Sequence, residues 1–157
     1  GNNDFAMATT ATYDVDTSFP KGATFGTWLN NVGALQSAGP PPQLGLSPVA
    51  NSVVSVNSPT VRWIYDPAQQ HVKYLSFQTP IGGTTTKAGE QPTYCGKAVF
   101  TDLHTGGEVQ STVASIPTGC KAGPLSPQQK ALEFLFFDLS ACVSNDSAPP
   151  PVVPPTM

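Results

Sequence analysis

Residues 61–77 read VRWIYDPAQQHVKYLSF. Val61, Trp63 and Tyr65 alternate with Arg62 and Ile64, the period of a strand, and aromatic and β-branched residues favour a pleated surface. Asp66-Pro67 breaks the run, and Val72–Phe77 resumes it. The short polar connection DPAQQH between them predicts a hairpin. The segment therefore places one strand at 61–65 and another at 72–77, joined as a hairpin. The alternation also turns Arg62, the single arginine of the chain, away from the apolar face. Asp66 and Glu90 are its expected partners.

Outward from this hairpin, Val53, Val54 and Val56 predict a short strand at 53–56. Gly96–Leu103 (GKAVFTDL) is an apolar run that predicts a strand over 96–103. Between them lie the Pro80 and Gly82-Gly83 breakers and a polar loop over 82–94. Two helices frame the strands. Phe25, Trp28, Leu29 and Val32 fall at i, i+3, i+4 and i+7, which predicts a helix over 21–33. Ser126, Pro127 and Gln129 make a capping box with proline at the first helical position, opening a helix over 126–143. That helix carries two apolar stripes, Leu132, Leu135, Phe136 and Leu139 beside Phe134, Phe137 and Ala141. A surface helix needs one stripe, so two predict burial on two sides.

The remaining segments are read from composition. Residues 1–17 form an extended N-terminal arm in which Thr10–Val15 has strand character. Residues 36–48, with Pro40, Pro41 and Pro42, read as a loop, because proline cannot donate to a ladder. Residues 18–145 make the domain, and 146–157 a proline-rich tail.

Of 157 residues, 17 are proline, 14 glycine and only 11% charged, with a net charge of −3. Seven basic side chains cannot build the cationic surface that nucleic acid requires. No apolar run approaches the length of a membrane span. Hydrophobic residues make up 39%, enough to exclude full disorder. Few charges with abundant Thr, Ser, Asn and Pro suit an extracellular or cell-surface protein, a setting in which cysteines pair. The start at Gly1 reads as a processed product or a fragment.

The segments CGKAVFTDLHTG (95–106) and LSPQQKALEFLFFDLSACV (125–143), preceded by TSFPKGATFGTWLNNVGAL (17–35), RWIYDP (62–67) and SFQTPIG (76–82), resemble the C-terminal region of large exported proteins of myxobacterial type. Those proteins carry carboxypeptidase-regulatory-like modules. The same region is similar to the closing half of class I glutamine-amidotransferase-like (trehalose-utilisation-like) domains. That resemblance implies an α/β fold, a partial flavodoxin-like layer whose first half is missing and whose core is completed by another polypeptide. It places His104 where such enzymes hold their catalytic histidine. Thr105 and Gly106 follow it instead of Pro-Glu, and Cys95 precedes its strand rather than sitting on an elbow after one. The departures argue against amidotransferase chemistry.

Asp102 and His104 share one face at a strand end and are the candidate ligand-binding pair; no catalytic residue, metal site or cofactor is expected. His71 lacks the further ligands a metal needs. Trp28, Trp63, Tyr65 and Tyr74 are read as core or interface in preference to a sugar platform. Asn145-Asp146-Ser147 is a glycosylation sequon. If the 95–104 strand and the 126–142 helix form one strand–loop–helix unit, Cys95 and Cys142 meet at one end. That predicts a Cys95–Cys142 disulfide with Cys120 unpaired or intermolecular; Cys95–Cys120 and Cys120–Cys142 are the competing pairings. The expected function is a non-catalytic structural or interaction module of an exported bacterial surface protein, partnered by other protein chains, either as a homo-oligomer or with a separate fragment of the same precursor. The alternatives are a degenerate amidotransferase-like or hydrolase-like domain binding a small ligand near His104, and a polysaccharide-binding module.

Overall fold

The computed structural model describes residues 11–46, 52–68, 71–84, 93–103, 105, 124–140, 143 and 145–148. They form six strands and two helices: β1 (Ala11–Val15), α1 (Pro20–Asn31), β2 (Leu35–Ser37), β3 (Gln43–Leu46), β4 (Val61–Tyr65), β5 (Val72–Thr79), β6 (Gly96–Thr101) and α2 (Pro127–Ser140). The strands make one sheet in the order β2-β3-β1-β4-β5-β6. Every pairing is antiparallel.

The fold thus combines sheet and helix as expected, but the sheet is not the parallel layer of a flavodoxin-like domain. The physical reason lies in the connections. A parallel pair needs a long crossover, whereas short links join antiparallel neighbours. The β4–β5 link is one such turn: the Asp66 N–H donates to the His71 carbonyl at 2.8 Å, and the Asp66 carboxylate accepts from the Ala68 N–H at 2.8 Å. Helix α1 does leave β1 and carry the chain across the sheet, yet it delivers it to the edge strand β2. β3 then returns between β2 and β1.

Three strand expectations change. The 53–56 strand shrinks to a single bridge between Val53 and Val72. The 36–48 loop instead contains β3 and the last residues of β2, with the triproline forming the turn between them. The N-terminal segment is not an arm over its described part, because β1 is paired on both sides, with β3 and β4. Likewise Asp146, placed in the tail by composition, is buried.

Both helices share one core with the sheet. Phe25 and Leu29 of α1, Ala131 and Leu135 of α2, and Tyr13, Val15, Leu44, Leu46, Trp63 and Tyr74 of the strands form a single buried cluster. Trp63 is its hub. Its ring stacks on Tyr74 at 5.0 Å and 8°, meets Phe19 and Phe25 edge-on and touches Phe134 of α2. The register slips around Trp63, where Arg62 pairs with Leu75 and Ile64 with Tyr74. An extra residue of this kind re-aims side chains, which accounts for Trp63 and Ile64 both being buried in successive positions.

Helix α1 lies close to the end of β1. A side chain at Gly22 would run into the Asp16 carbonyl and the Phe19 ring, so glycine is required there for the approach. The predicted capping box opens α2: the Gln129 N–H donates to Ser126 Oγ at 3.2 Å, and the Ser126 N–H donates to Gln129 Oε1 at 2.9 Å. Lys130 of α2 then donates to the Val32 carbonyl at 2.7 Å, satisfying a carbonyl at the C-terminal end of α1 and fixing one helix against the other.

Neither stripe of α2 is buried along its length. Leu135 is buried and Leu132 and Phe134 pack on the core, but Phe136 and Phe137 are 61% and 60% exposed, and Leu139 is exposed as well. None of the helices is long and apolar enough to cross a membrane among the described residues.

Candidate functional site

Four charged residues distant in sequence converge on the edge of the aromatic core. Lys21 comes from the first turn of α1, Lys97 from β6, Asp138 from the last turns of α2, and Asp146 from the turn beyond it. Lys21 Nζ donates to Asp138 Oδ1 at 3.0 Å and contacts Asp146 Oδ1 at 3.1 Å. Lys97 Nζ donates to Asp146 Oδ1 at 2.9 Å and to Asp138 Oδ2. The side chains of Lys97 and Asp146 are only 5% and 1% exposed.

Neutral aromatic and hydroxyl groups enclose this charge cluster. The Trp63 indole N–H donates to Ser76 Oγ at 2.7 Å, and the Ser76 hydroxyl donates to Asp146 Oδ2 at 2.7 Å. Lys97 Nζ stands 5.1 Å from the centre of the Trp63 ring, a cation–π distance. The Tyr74 hydroxyl is buried with no hydrogen-bond partner among the described residues. Burial, and then the charges of Asp138 and Asp146, push its ionisation far above the ordinary phenol range. Burial alone would push the Lys21 ammonium down, but Asp138 and Asp146 hold it above the ordinary lysine value. Two cations and two carboxylates balance, which is what makes a buried cluster of this size tolerable.

In a separate ion pair, Arg62 Nε and Nη2 both donate to Asp16 Oδ2, at 3.1 and 2.9 Å. Asp16 is thus a partner of Arg62; Glu90, one of the two expected partners, lies outside the described residues. The guanidinium also lies 3.4 Å above the Tyr65 ring. Burial alone would raise the Asp16 carboxyl. The Ser18 hydroxyl and backbone N–H, together with Arg62, outweigh it and hold the carboxyl below its usual value. A cleft of about 410 Å³ opens beside the pair, lined by Phe19, Val54, Val56, Val61 and Val72 among others. A depressed native pKa contributes stability that is complete above the unfolded value, near 4, and is lost as pH falls through the native value. Replacing Asp16 by Asn is expected to cost about 1.5–3 kcal/mol at neutral pH, the range for hydrogen bonds to charged groups. The urea midpoints of wild type and variant should converge as pH drops below about 4. A gap that stays constant to low pH contradicts this role.

The residues singled out from sequence fare unequally. Asp102 accepts from the Ser52 N–H at 2.9 Å and the Ser52 hydroxyl at 3.0 Å. It therefore ties down the chain ahead of the Val53 bridge. His104, Cys120 and Cys142 lie outside the described residues. Cys95 is an exposed free thiol; Cys142, its expected partner, is outside the described residues. Cys95 sits at the turn into β6, where its N–H donates to the Thr79 carbonyl at 2.8 Å. Near Asp102 is Lys73, a wholly buried lysine whose ammonium is pushed down by burial against the pull of Asp102 and Asp66.

The Trp63–Tyr74 pair is coplanar, but both rings are fully buried, so it offers no face to a sugar. Among the described residues no group of three His, Cys, Asp or Glu could hold a metal ion, and His71 Nδ1 is buried without a partner. The Asn145 side chain of the sequon is engaged in a turn, accepting from the Ser147 N–H at 2.9 Å.

The lysine–aspartate network is the feature that sequence reasoning missed. One signal was available: Asp138 is a carboxylate inside a run, Phe134–Leu139, that is otherwise wholly apolar. Comparison with family models, curated proteins and solved structures gives no match.

Proposed function

We propose that the chain is a non-catalytic structural and interaction module of an exported surface protein, and that it associates with a second copy of itself through the outer face of α2. The observation that carries this is the pair Phe136 and Phe137, each about three-fifths exposed on a helix whose opposite face is fully packed. Large apolar side chains placed together on a surface mark interaction sites. A two-fold contact sets the same patch of two copies face to face, so that Phe136 of each can meet Phe137 of the other, and aromatic rings pair well in that arrangement.

The charge pattern supports the same reading. Lys21, Lys97, Asp138 and Asp146 are engaged with one another, Arg62 with Asp16, and Asp102 with Ser52. Side chains committed to internal pairs hold the fold together and are turned to one another instead of to an outside substrate. Low overall charge and the resemblance of the sequence to exported proteins support the location.

Sedimentation velocity over a range of concentrations tests the proposal. Wild type should associate reversibly. Phe136→Ser with Phe137→Ser should shift it to monomer with little change in the urea midpoint, because neither ring is part of the buried core. A wild type that stays monomeric at every concentration overturns it.

A further inference from the structure

We propose that Lys97 and Asp138 are joined by a side-chain amide bond that the folded chain forms by itself, with Asp146 moving the protons. The reacting groups are already in place. Lys97 Nζ contacts Asp138 Oδ2 directly, and the same nitrogen is 2.9 Å from Asp146 Oδ1. Holding two reactants in contact in a water-poor site replaces a bimolecular encounter by an intramolecular step.

The roles of the two carboxylates follow from their other partners. Asp146 is fixed by the Ser76 hydroxyl, itself held by the Trp63 indole N–H. It is therefore oriented as a general acid and base. Asp138 has no such tether; its oxygens face the two lysines. Lys21 holds Asp138 Oδ1 at 3.0 Å, where its positive charge draws electron density from the carbonyl carbon and stabilises the oxyanion of a tetrahedral intermediate. The Tyr74 hydroxyl, buried and unpartnered next to both carboxylates, is a hydrogen-bond donor with no other task in the described structure. Lys97 rather than Lys21 is the nucleophile because it is the less exposed amine and sits on a paired strand, in register with Gln78 of β5.

The step balances without any co-reactant. Asp146 takes one proton from the Lys97 ammonium, freeing the nitrogen lone pair. That pair attacks Cγ of Asp138, and the former carbonyl electrons pass to Oδ1. Asp146 delivers its proton to Oδ2 and accepts the second proton from the nitrogen. Oδ2 leaves as water as the Oδ1 carbonyl re-forms, taking that second proton with it. An ammonium and a carboxylate become an amide plus one water; nothing is oxidised or reduced. The product also removes one buried cation and one buried anion, leaving Lys21 and Asp146 as a matched pair. Desolvated charges are costly even when paired, so the change relieves the site.

Intact-mass measurement of the reduced, denatured full chain tests this. The expected mass is one water below that of the sequence, and peptide mapping should find the Lys97 peptide bonded to the Asp138 peptide. Lys97→Arg keeps the charge but should restore the full sequence mass. Asp146→Asn keeps an oxygen for the Ser76 hydroxyl yet cannot take up a proton, and should also restore it while retaining the wild-type circular dichroism. A wild-type chain at its full sequence mass overturns the proposal. So does a water loss that maps to a cyclic imide at Asp138 or to a bond with Lys21. A folded Asp146→Asn chain that still loses water overturns the role given to Asp146.

Discussion

Trp63→Ala is expected to lower the unfolding free energy by about 3–5 kcal/mol, the usual range for emptying a buried aromatic site. Domains of this size are stable by only about 5–15 kcal/mol, so a fifth or more of the total would go. The value should lie toward the upper end of the range for two reasons. The rings around the site come from separate elements: Phe19 ahead of α1, Phe25 within it, Tyr74 on β5 and Phe134 on α2. No single side-chain shift can refill a gap shared by all of them. The indole N–H also holds Ser76 in place beneath Asp146, so the variant loosens the buried charges too. Trp63→Phe separates the two effects. It keeps most of the ring packing and loses the hydrogen bond, and should cost about 1–3 kcal/mol, the penalty for a buried polar group left unpaired. Urea unfolding followed by far-ultraviolet circular dichroism gives both numbers. Equal losses in the two variants would show that the hydrogen bond, and not the ring stack, carries the effect.

Trp63 also shows what the sequence disclosed and what it hid. Its strand was legible because alternation and a turn are local signals, and VRWIY followed by Asp-Pro contains both. The opening of α2 was legible for the same reason: Ser126, Pro127 and Gln129 are close neighbours. The edge strand β2 and its neighbour β3 were hidden. Leu35–Ser37 and Gln43–Leu46 are too short to display a period, and the three prolines between them read as a loop when they form the turn of a strand pair. Strand direction was hidden too, since the resemblance implied a parallel layer while the antiparallel order follows from the whole set of connections. The two stripes of α2 are apolar, but each is covered only in part, with Leu135 and Phe134 against the core and Phe136, Phe137 and Leu139 exposed; sequence counts apolar residues and does not say which neighbour meets them. The charge network could not have been assembled in advance. Lys21 and Asp138 are 117 positions apart, and Lys97 and Asp146 are 49, so their meeting is a property of the fold alone.

Asp146→Ala is the second large effect, expected at about 3–5 kcal/mol from the charge imbalance alone, since removing one partner of a buried pair strands the other. The variant leaves Lys21 and Lys97 sharing Asp138, with the Ser76 hydroxyl deprived of its acceptor. The surplus cation is the dominant cost, and it can be cancelled independently. Asp146→Ala combined with Lys21→Met leaves Lys97 facing Asp138 as one balanced pair, and should recover part of the loss. Sites in contact are expected to be non-additive by about 0.5–3 kcal/mol; a purely additive double variant would mean that the four residues do not act as one network. The double variant also isolates the covalent contribution. It restores charge balance but has no Asp146 to carry protons, so it cannot form the Lys97–Asp138 amide. A link across 41 positions is worth about 4 kcal/mol when treated as closing a loop in the unfolded chain. The double variant should therefore remain less stable than wild type by roughly that amount, and the deficit should disappear when the comparison is made against Lys97→Arg, which lacks the amide and keeps the charges.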